Sequence, residues 1–318
     1  MNAERLIAGK RVLVVGRAGM DLYPAPDGTR IEAATNFVSD VGGSAGNIAV
    51  ALARQGCPAG LMTAFSDDAV GRFVLAQLNN YGVDTRYCKT TKGLERTSLA
   101  LAETVDTAPS VVIYRNNAAD LAITETDADA VELSGIGAVI VTGTSLSSDP
   151  SRSAVQRLIR RAKQAEVTVI LDIDYRAQAW ADAAKARSVT AATAALADVV
   201  VGNNEEFDFI ADGEGRKHAV SLAEAGALVL YKMGEAGCDI ITAEGRKSVG
   251  VFAVTALKPF GAGDAFLGGF VAAVAEGKDI SDAVRRGAAA AAMVVSTRGC
   301  ASAMPDSAAL EAFMTQHN

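Results

Sequence analysis

Pro259-Phe260-Gly261-Ala262-Gly263-Asp264-Ala265-Phe266 sets a carboxylate at the mouth of a glycine-rich turn that opens an apolar helix. Gly261, Ala262 and Gly263 carry little or no side chain, so their backbone N–H groups can approach an anion closely, and the helix start adds partial positive charge. Asp264 is then placed to take a proton from an attacking hydroxyl, an arrangement suited to phosphoryl transfer. The same residues also spell an ordinary helix start in which Asp264 caps its own first turn. What lies elsewhere in the chain separates the two readings.

Upstream of this turn, short β-branched runs alternate with longer Ala-rich segments of helical spacing, which is a βα signature. The spacing predicts strands at 11–15, 59–65, 138–141, 167–172, 198–201 and 227–231, and helices at 44–55, 70–81, 151–166, 205–211, 262–276 and 280–297. Most of these strands are continuous apolar runs, as expected in a parallel sheet covered on both faces. Between residues 31–40 and 97–120 polar and apolar residues alternate instead, which predicts half-solvated antiparallel strands forming a small lid. No repeat or Pro/Ser-rich linker divides the chain, so residues 1–318 are read as one α/β domain with a lid inserted.

Composition limits the partners. Half of the 318 residues are apolar, about a fifth are charged, and the net charge is −7, which together predict a soluble globular protein acting on a small molecule rather than nucleic acid or membrane. Met1 to Lys10 lacks the hydrophobic segment of a signal peptide and no apolar run reaches the length of a membrane span, so a cytoplasmic location is expected. Cys57, Cys88, Cys238 and Cys300 are widely spaced, and the histidines are His218 and His317, so neither a zinc site nor a histidine-based triad is signalled.

A second small-residue cluster, Gly42-Gly43-Ser44-Ala45-Gly46-Asn47, runs straight into the helical Ile48 to Ala53. It lacks the Lys-Ser/Thr of a Walker A loop, and Gly16-Arg17-Ala18-Gly19 lacks the spacing of a dinucleotide fingerprint. Paired glycines let a polyol lie against backbone, while the Asn47 amide offers both a donor and an acceptor to hydroxyls. A tight turn with an Asn cap is the competing reading.

Gly42-Gly43 with Asn47 and Gly261-Ala262-Gly263-Asp264 resemble the two signatures of the ribokinase/PfkB family of sugar kinases, and the similarity covers essentially the whole chain. The resemblance implies a ribokinase-like three-layer α/β/α fold with a mostly parallel sheet and a small antiparallel β lid. It implies Asp264 as general base, with Gly261, Ala262 and Gly263 as the anion hole. Asp21, after the first strand, corresponds to the residue that holds a substrate hydroxyl. Asn203-Asn204-Glu205-Glu206 matches an Asn-x-x-Glu element, placing Asn203 and Glu206 by magnesium and phosphate, with Glu206 in the outer shell of the metal. Lys232-Met233-Gly234-Glu235-Ala236-Gly237 matches a strand-turn beside the nucleotide, so Lys232, Gly234 and Gly237 are expected there. ATP and magnesium are the implied cofactors, and a homodimer through the lid is expected.

Within the family, Gly16 to Pro24, Tyr114 to Asp120 and Asp172-Ile173-Asp174-Tyr175-Arg176 are similar to the kinases that phosphorylate 5-dehydro-2-deoxygluconate in myo-inositol breakdown. A sugar acid needs a cation, and Arg17, Arg115 and Arg176 each sit beside a predicted substrate element, with Tyr114 as a wall. Surface ion pairs are the competing role for each arginine. Asp174 stands where the family usually has Asn. Lys258 stands where many members have an Asp that helps bind a monovalent cation, so its ammonium is expected to replace that ion. The alternative acceptors are 2-keto-3-deoxygluconate and fructose. A non-catalytic sugar sensor and an NAD-dependent dehydrogenase are the readings outside the kinases, and the intact Asp264 and the missing glycine fingerprint count against them.

Overall fold

Continuous apolar strands need cover on both faces, and the alternation along them shows how they obtain it. Val12 and Val14 join one fully buried cluster while Leu13 and Val15 join the other, and Val199 and Val201 part from Val200 in the same way. The computed structural model describes residues 10–105 and 108–317. The expectation made for Met1 to Lys10 falls, through residue 9, outside the described residues, as do residues 106 and 107 within the expected lid segment.

The strands are β1 (Arg11–Val15), β2 (Gly19–Ala25), β3 (Asn36–Gly42), β4 (Ala59–Ser66), β5 (Asp84–Thr91), β6 (Leu99–Ala102), β7 (Val111–Tyr114), β8 (Ile136–Thr142), β9 (Thr168–Asp172), β10 (Val199–Asn203), β11 (Leu228–Lys232), β12 (Cys238–Thr242) and β13 (Gly245–Val249). The helices are α1 (Ser44–Arg54), α2 (Ala69–Asn80), α3 (Glu125–Asp129), α4 (Ser151–Gln164), α5 (Ala183–Ala194), α6 (Asn204–Ile210), α7 (Gly215–Glu224), α8 (Ala262–Ala275), α9 (Ile280–Val295) and α10 (Ser307–Gln316). Among the described residues nine strands form one sheet in the order β13-β12-β11-β10-β9-β8-β1-β4-β5, parallel except at β11/β12 and β12/β13. Helices α1, α2, α8, α9 and α10 contribute to the buried cluster on one face and α3 to α7 to that on the other, giving three layers.

The strand order reverses between β1 and β8, since the chain leaves β1 toward β4 on one side and returns at β8 on the other. In open α/β sheets ligands bind beyond the carboxyl ends of strands at such a switch point. Thr142, at the end of β8, lies so close to Gly16 that a Cβ there would meet its Oγ1 at 2.1 Å. Gly16 also has φ +148, so both space and backbone demand glycine at this crossing.

Four further strands form the small sheet, β3-β2-β6-β7, antiparallel at β2/β3 and β6/β7 and parallel at β2/β6. Its β2 was not expected as a strand. Residues 31–33, expected in a strand, form instead a 3₁₀ turn held by Glu103, which accepts from the Ile31 N–H and pairs with Arg30.

Small residues bring the two signature segments together. A Cβ on Gly268 of α8 would lie 2.4 Å from that of Ala51 on α1, and one on Gly269 would lie 3.1 Å from the Gly287 Cα on α9. Helices that approach this closely place their N-terminal turns side by side.

Candidate active site

The turn before α8 is strained in the way its glycine anticipates. Gly261 is left-handed at φ +81, and a side chain there would press on Cys300 Sγ at 3.1 Å and Val294 at 3.2 Å. Asp264 does not cap its own helix, because the N-cap position is Gly261 and no side chain caps it. The Asp264 carboxylate accepts instead from Asn47 Nδ2 at 2.7 Å, across 217 residues of chain. Its carboxylate is thus free of a capping role. The Asn47 Oδ1 atom is buried without a partner. Burial pushes the Asp264 carboxyl up to about 7, reinforced by the Asp174 carboxylate, while the Asn47 hydrogen bond, Arg176 and Lys232 pull it down.

Gly263 is constrained by a charge. A Cβ there would sit 3.3 Å from Lys232 Nζ, so the ammonium faces the first turn of α8 from the end of β11. Lys232 lies 4.0 Å from Asp172 at the end of β9. Burial disfavours the Lys232 charge, but Asp172, Glu206 and Asp264 outweigh it and the ammonium ends above its ordinary value. Asp172 is pushed well up by burial, with Lys232 opposing. Backbone amides, a helix N-terminus and an ammonium thus converge beside one carboxylate.

Asp21 lies on β2 opposite Asp40 of β3, and two residues along β3 Gly42 lacks a side chain; a Cβ on Gly42 would fall 1.9 Å from Asp21 Oδ1. That oxygen is buried and unpartnered, whereas Oδ2 accepts from the Tyr23 hydroxyl at 3.2 Å. Burial raises Asp21 to about 6, with Arg17 opposing and Asp40 assisting. Gly43 is required for a different reason: at φ +89 its Cβ would lie 2.5 Å from the Arg17 carbonyl oxygen. Orphaned acceptors on Asp21 and Asn47 are suited to ligand hydroxyls, because a buried polar atom without a partner is costly until something donates to it.

The arginines are placed unequally. Arg115 is buried against Asp120 and donates to the Thr144 carbonyl at 3.2 Å, leaving its Nε unpartnered. Arg176 reaches Asp174 at 3.1 Å, and that carboxylate leads the groups that raise its pKa. Arg17 donates to Ser98 Oγ at 3.1 Å. Tyr114 is 59 % exposed at the end of β7 and so is not brought in with them. Asp174 holds a left-handed φ of +36 and accepts from the Thr144 hydroxyl at 3.2 Å. With Arg176 and Thr144 as partners it tolerates a charge where the family usually has a neutral amide.

Asn203 and Glu206 make a reciprocal cap at the start of α6: Asn203 Oδ1 accepts the Glu206 N–H and Glu206 Oε2 accepts the Asn203 N–H, both at 2.8 Å. Glu206 Oε1 also accepts from the Tyr175 N–H at 3.2 Å, fastening the segment after β9 to the first turn of α6. Each oxygen keeps a lone pair, which fits a carboxylate meeting a hydrated cation through water rather than binding it directly. Gly234 and Gly237 bound a 3₁₀ turn after β11, with φ +56 and +92. Lys258 is 2 % exposed and donates to the Phe260 carbonyl at 2.7 Å, directly before the Gly261 turn. Burial lowers its pKa, opposed by Cys300, Asp264, Asp40 and Asp21.

Thr144 and Asp120 were missed as site residues. Thr144 follows β8 at the carboxyl edge of the sheet, a position that was legible, but Thr carries no distinctive signal. Asp120 lay within the Tyr114 to Asp120 segment without a role.

Residues 10–307 match the model of the pfkB family carbohydrate kinases. A 5-dehydro-2-deoxygluconokinase of Photobacterium profundum is 36% identical over 301 residues, which cover 92% of this chain and 91% of that protein. A fructokinase double mutant from Vibrio cholerae O395, solved with fructose, ADP and a potassium ion, superposes with a TM-score of 0.85 at 26% identity over 96% of this chain and 99% of its own. A fructokinase from Xylella fastidiosa with bound ATP gives a TM-score of 0.86 at 25% identity over 97% and 99%.

A carboxyl whose folded-state pKa stands near 7 instead of 3.8 keeps its proton in the folded chain after the unfolded chain has released it. Its environment therefore costs stability as pH rises from about 4 to about 7, and the cost persists above. Asp264→Asn should melt higher than the parent at pH 8, with the gap closing toward pH 4. Scanning calorimetry at both pH values checks this, and a gap of the same size at each would contradict it.

Proposed function

The chain belongs to the pfkB family of carbohydrate kinases and is an ATP-dependent carbohydrate kinase, and from that premise we propose that it phosphorylates the primary hydroxyl of a sugar acid, 5-dehydro-2-deoxy-D-gluconate, to the 6-phosphate. The observation that carries the chemistry is Asp264, held by Asn47 and facing Lys232 at the amino end of α8. The acid as acceptor rests on the relative from Photobacterium profundum and on three guanidinium groups, Arg17 near Asp21, Arg176 on Asp174 and Arg115 on Asp120. The V. cholerae and X. fastidiosa neighbours favour fructose as the alternative acceptor.

In this reading Asp264 takes the proton of the attacking hydroxyl. Asn47 fixes one carboxylate oxygen, so the other is aimed at the substrate. The N–H groups from Gly261 to Asp264, with the Lys232 ammonium, receive the charge that builds on the transferred phosphoryl oxygens, where one such donor is typically worth about 3 kcal/mol. Asp21 Oδ1 and Asn47 Oδ1 accept from substrate hydroxyls, and Gly42 and Gly43 let the sugar lie against backbone. Gly234 and Gly237 flank the nucleotide. Magnesium bound with ATP would neutralise the phosphate oxygens, and Glu206 and Asn203 would hold it through its waters. The small sheet is the lid that excludes water.

A coupled ADP-release assay over 5-dehydro-2-deoxygluconate, 2-keto-3-deoxygluconate and fructose tests the acceptor. The first should give the highest kcat/KM, and a preference for fructose would overturn the proposal. Asp264→Asn should lower kcat by about 10³-fold with ATP affinity kept within a few-fold, and substantial residual turnover would remove the base.

The Lys258 ammonium is proposed to replace the monovalent cation, because it is already buried on the carbonyl that precedes the Gly261 turn. Initial rates should match in potassium and in tetramethylammonium buffers. A several-fold stimulation by potassium would refute the substitution.

Phe37, Val38, Val111, Val112 and Ile113 are exposed on β3 and β7, the two edges of the small sheet. Apolar sheet edges invite pairing, and a second copy of the chain is the proposed occupant. Sedimentation velocity should give a dimer that Val38→Asp with Val112→Asp converts to a monomer, and a parent that sediments as a monomer would exclude it. None of the helices among the described residues is long and apolar enough to cross a membrane, and the proposed site of action is the cytoplasm.

A further inference from the structure

Three cations around the site stand beside a carboxylate, and a fourth closes on a backbone carbonyl. Arg115 is held by Asp120, Arg176 by Asp174, Lys232 stands 4.0 Å from Asp172, and Lys258 is fastened to the Phe260 carbonyl. Arg17 differs. Its side-chain partner is the neutral Ser98 hydroxyl, and among the described residues it makes no ion pair.

The surroundings of Arg17 are built. Its carbonyl accepts the Gly46 N–H at 3.2 Å and closes against Gly43, so the backbone is pinned to the Gly42-Gly43 signature. Ser98 is 1 % exposed, and Gly19 lacks the Cβ that would strike Ser98 Oγ at 2.5 Å. The hydroxyl that orients the guanidinium is therefore itself fixed. Leu99 pairs with Tyr114 across β6 and β7, so the next residues outward on the two strands are Ser98 and Arg115. Arg17, through Ser98, and Arg115 both belong to this end of the small sheet. Arg115 is ion-paired with Asp120, whereas Arg17 makes no ion pair among the described residues and acts on the Asp21 carboxylate only at longer range.

A half-buried guanidinium fixed beside a sugar-binding turn, with no carboxylate in ion-pair contact and the Asp21 carboxylate acting on it only at longer range, is suited to a ligand that brings a carboxylate into contact. We propose that Arg17 is the specificity-determining residue of the acceptor site, its guanidinium receiving the carboxylate of the sugar acid and so selecting acids over neutral ketoses. The assignment rests on the sugar-acid reading of the site. In 5-dehydro-2-deoxygluconate the carboxylate stands at the opposite end from the hydroxyl phosphorylated, so an anchor at Arg17 leaves that hydroxyl to Asp264. Arg115 and Arg176, already engaged, become supports of the wall.

Calorimetric dissociation constants for 5-dehydro-2-deoxygluconate and for its neutral primary amide separate charge recognition from shape. The parent should bind the acid at least about 30-fold more tightly than the amide, the range of a charge-assisted contact. Arg17→Gln should bring that ratio to within about 3-fold of unity while leaving affinity for the amide within about 3-fold. Arg17→Lys, which keeps charge and stem, should fall between them, and it carries the test if the Gln variant does not fold. A high parent ratio that Arg17→Gln leaves unchanged overturns the assignment alone. A parent ratio near one overturns the sugar-acid reading and the assignment with it.

Discussion

The contact between Asn47 Nδ2 and Asp264 is the constraint on which the site depends. It exists because α1 and α8 approach at Ala51 and Gly268, where a single added methyl group would force them apart. Neither helix could supply the pair alone, since Asp264 needs a donor from outside its own helix to stay clear of its first-turn amides. The buried strands beneath, from β8 through β1 to β4, hold the two helices over one face of the sheet. Local glycine chemistry thus becomes the geometry of the candidate site through packing.

The site around this pair departs from the rule that buried polar groups are satisfied. Asp21 Oδ1, Asn47 Oδ1, Arg115 Nε and Asp120 Oδ1 are buried without partners. Each such atom costs about 1–3 kcal/mol. The large apolar clusters on both faces of the sheet offset that cost. Three of these orphans are acceptors and one is a donor, a set matched to a polyhydroxylated ligand with an acceptor group. Asp174 adds backbone strain in the same neighbourhood, as is common where function over-determines the chain.

How much of this was legible varied with the physics that fixes each part. Six of the parallel strands and six helices could be read because period and apolar run length reflect burial directly, and their ends differ by only a residue or two, as with 44–55 for the observed Ser44–Arg54; the half-buried edge strand β5 and the helices α5 and α7 were not read. Strand β2 was hidden because Gly19, Asp21 and Pro24 read as a loop. Pairing with β6 spans only Met20 to Leu22, so Pro24 escapes that ladder. The β12–β13 hairpin was not anticipated because its outer strand, Gly245–Val249, is polar and largely exposed. In the site, Asp264, Asn47, Gly42 and Gly43 were legible as motifs. The unequal neutralisation of Arg17, Arg115 and Arg176 was not, since it depends on partners at Asp120, Thr144 and Ser98 that no spacing rule connects.

Lys258 shows what a tethered charge changes. The Leu257 and Lys258 N–H groups both donate to the Val295 carbonyl at the end of α9, at 2.7 and 3.1 Å, so the backbone carrying the ammonium is locked from the rear. The side chain then runs to the Phe260 carbonyl and forms a short closed loop with it. A free ion at such a place exchanges with solvent and is diluted with it, whereas an ammonium on a fixed stem has a constant effective concentration and loses its ordering entropy once, during folding. An ammonium this buried is disfavoured by desolvation, and its pKa is lowered accordingly. Asp21, Asp40 and Asp264 lie close enough to offset part of that cost. These carboxylates therefore favour the charged form of Lys258, which ties the turn at Gly261 electrostatically to Asp21 and Asp264.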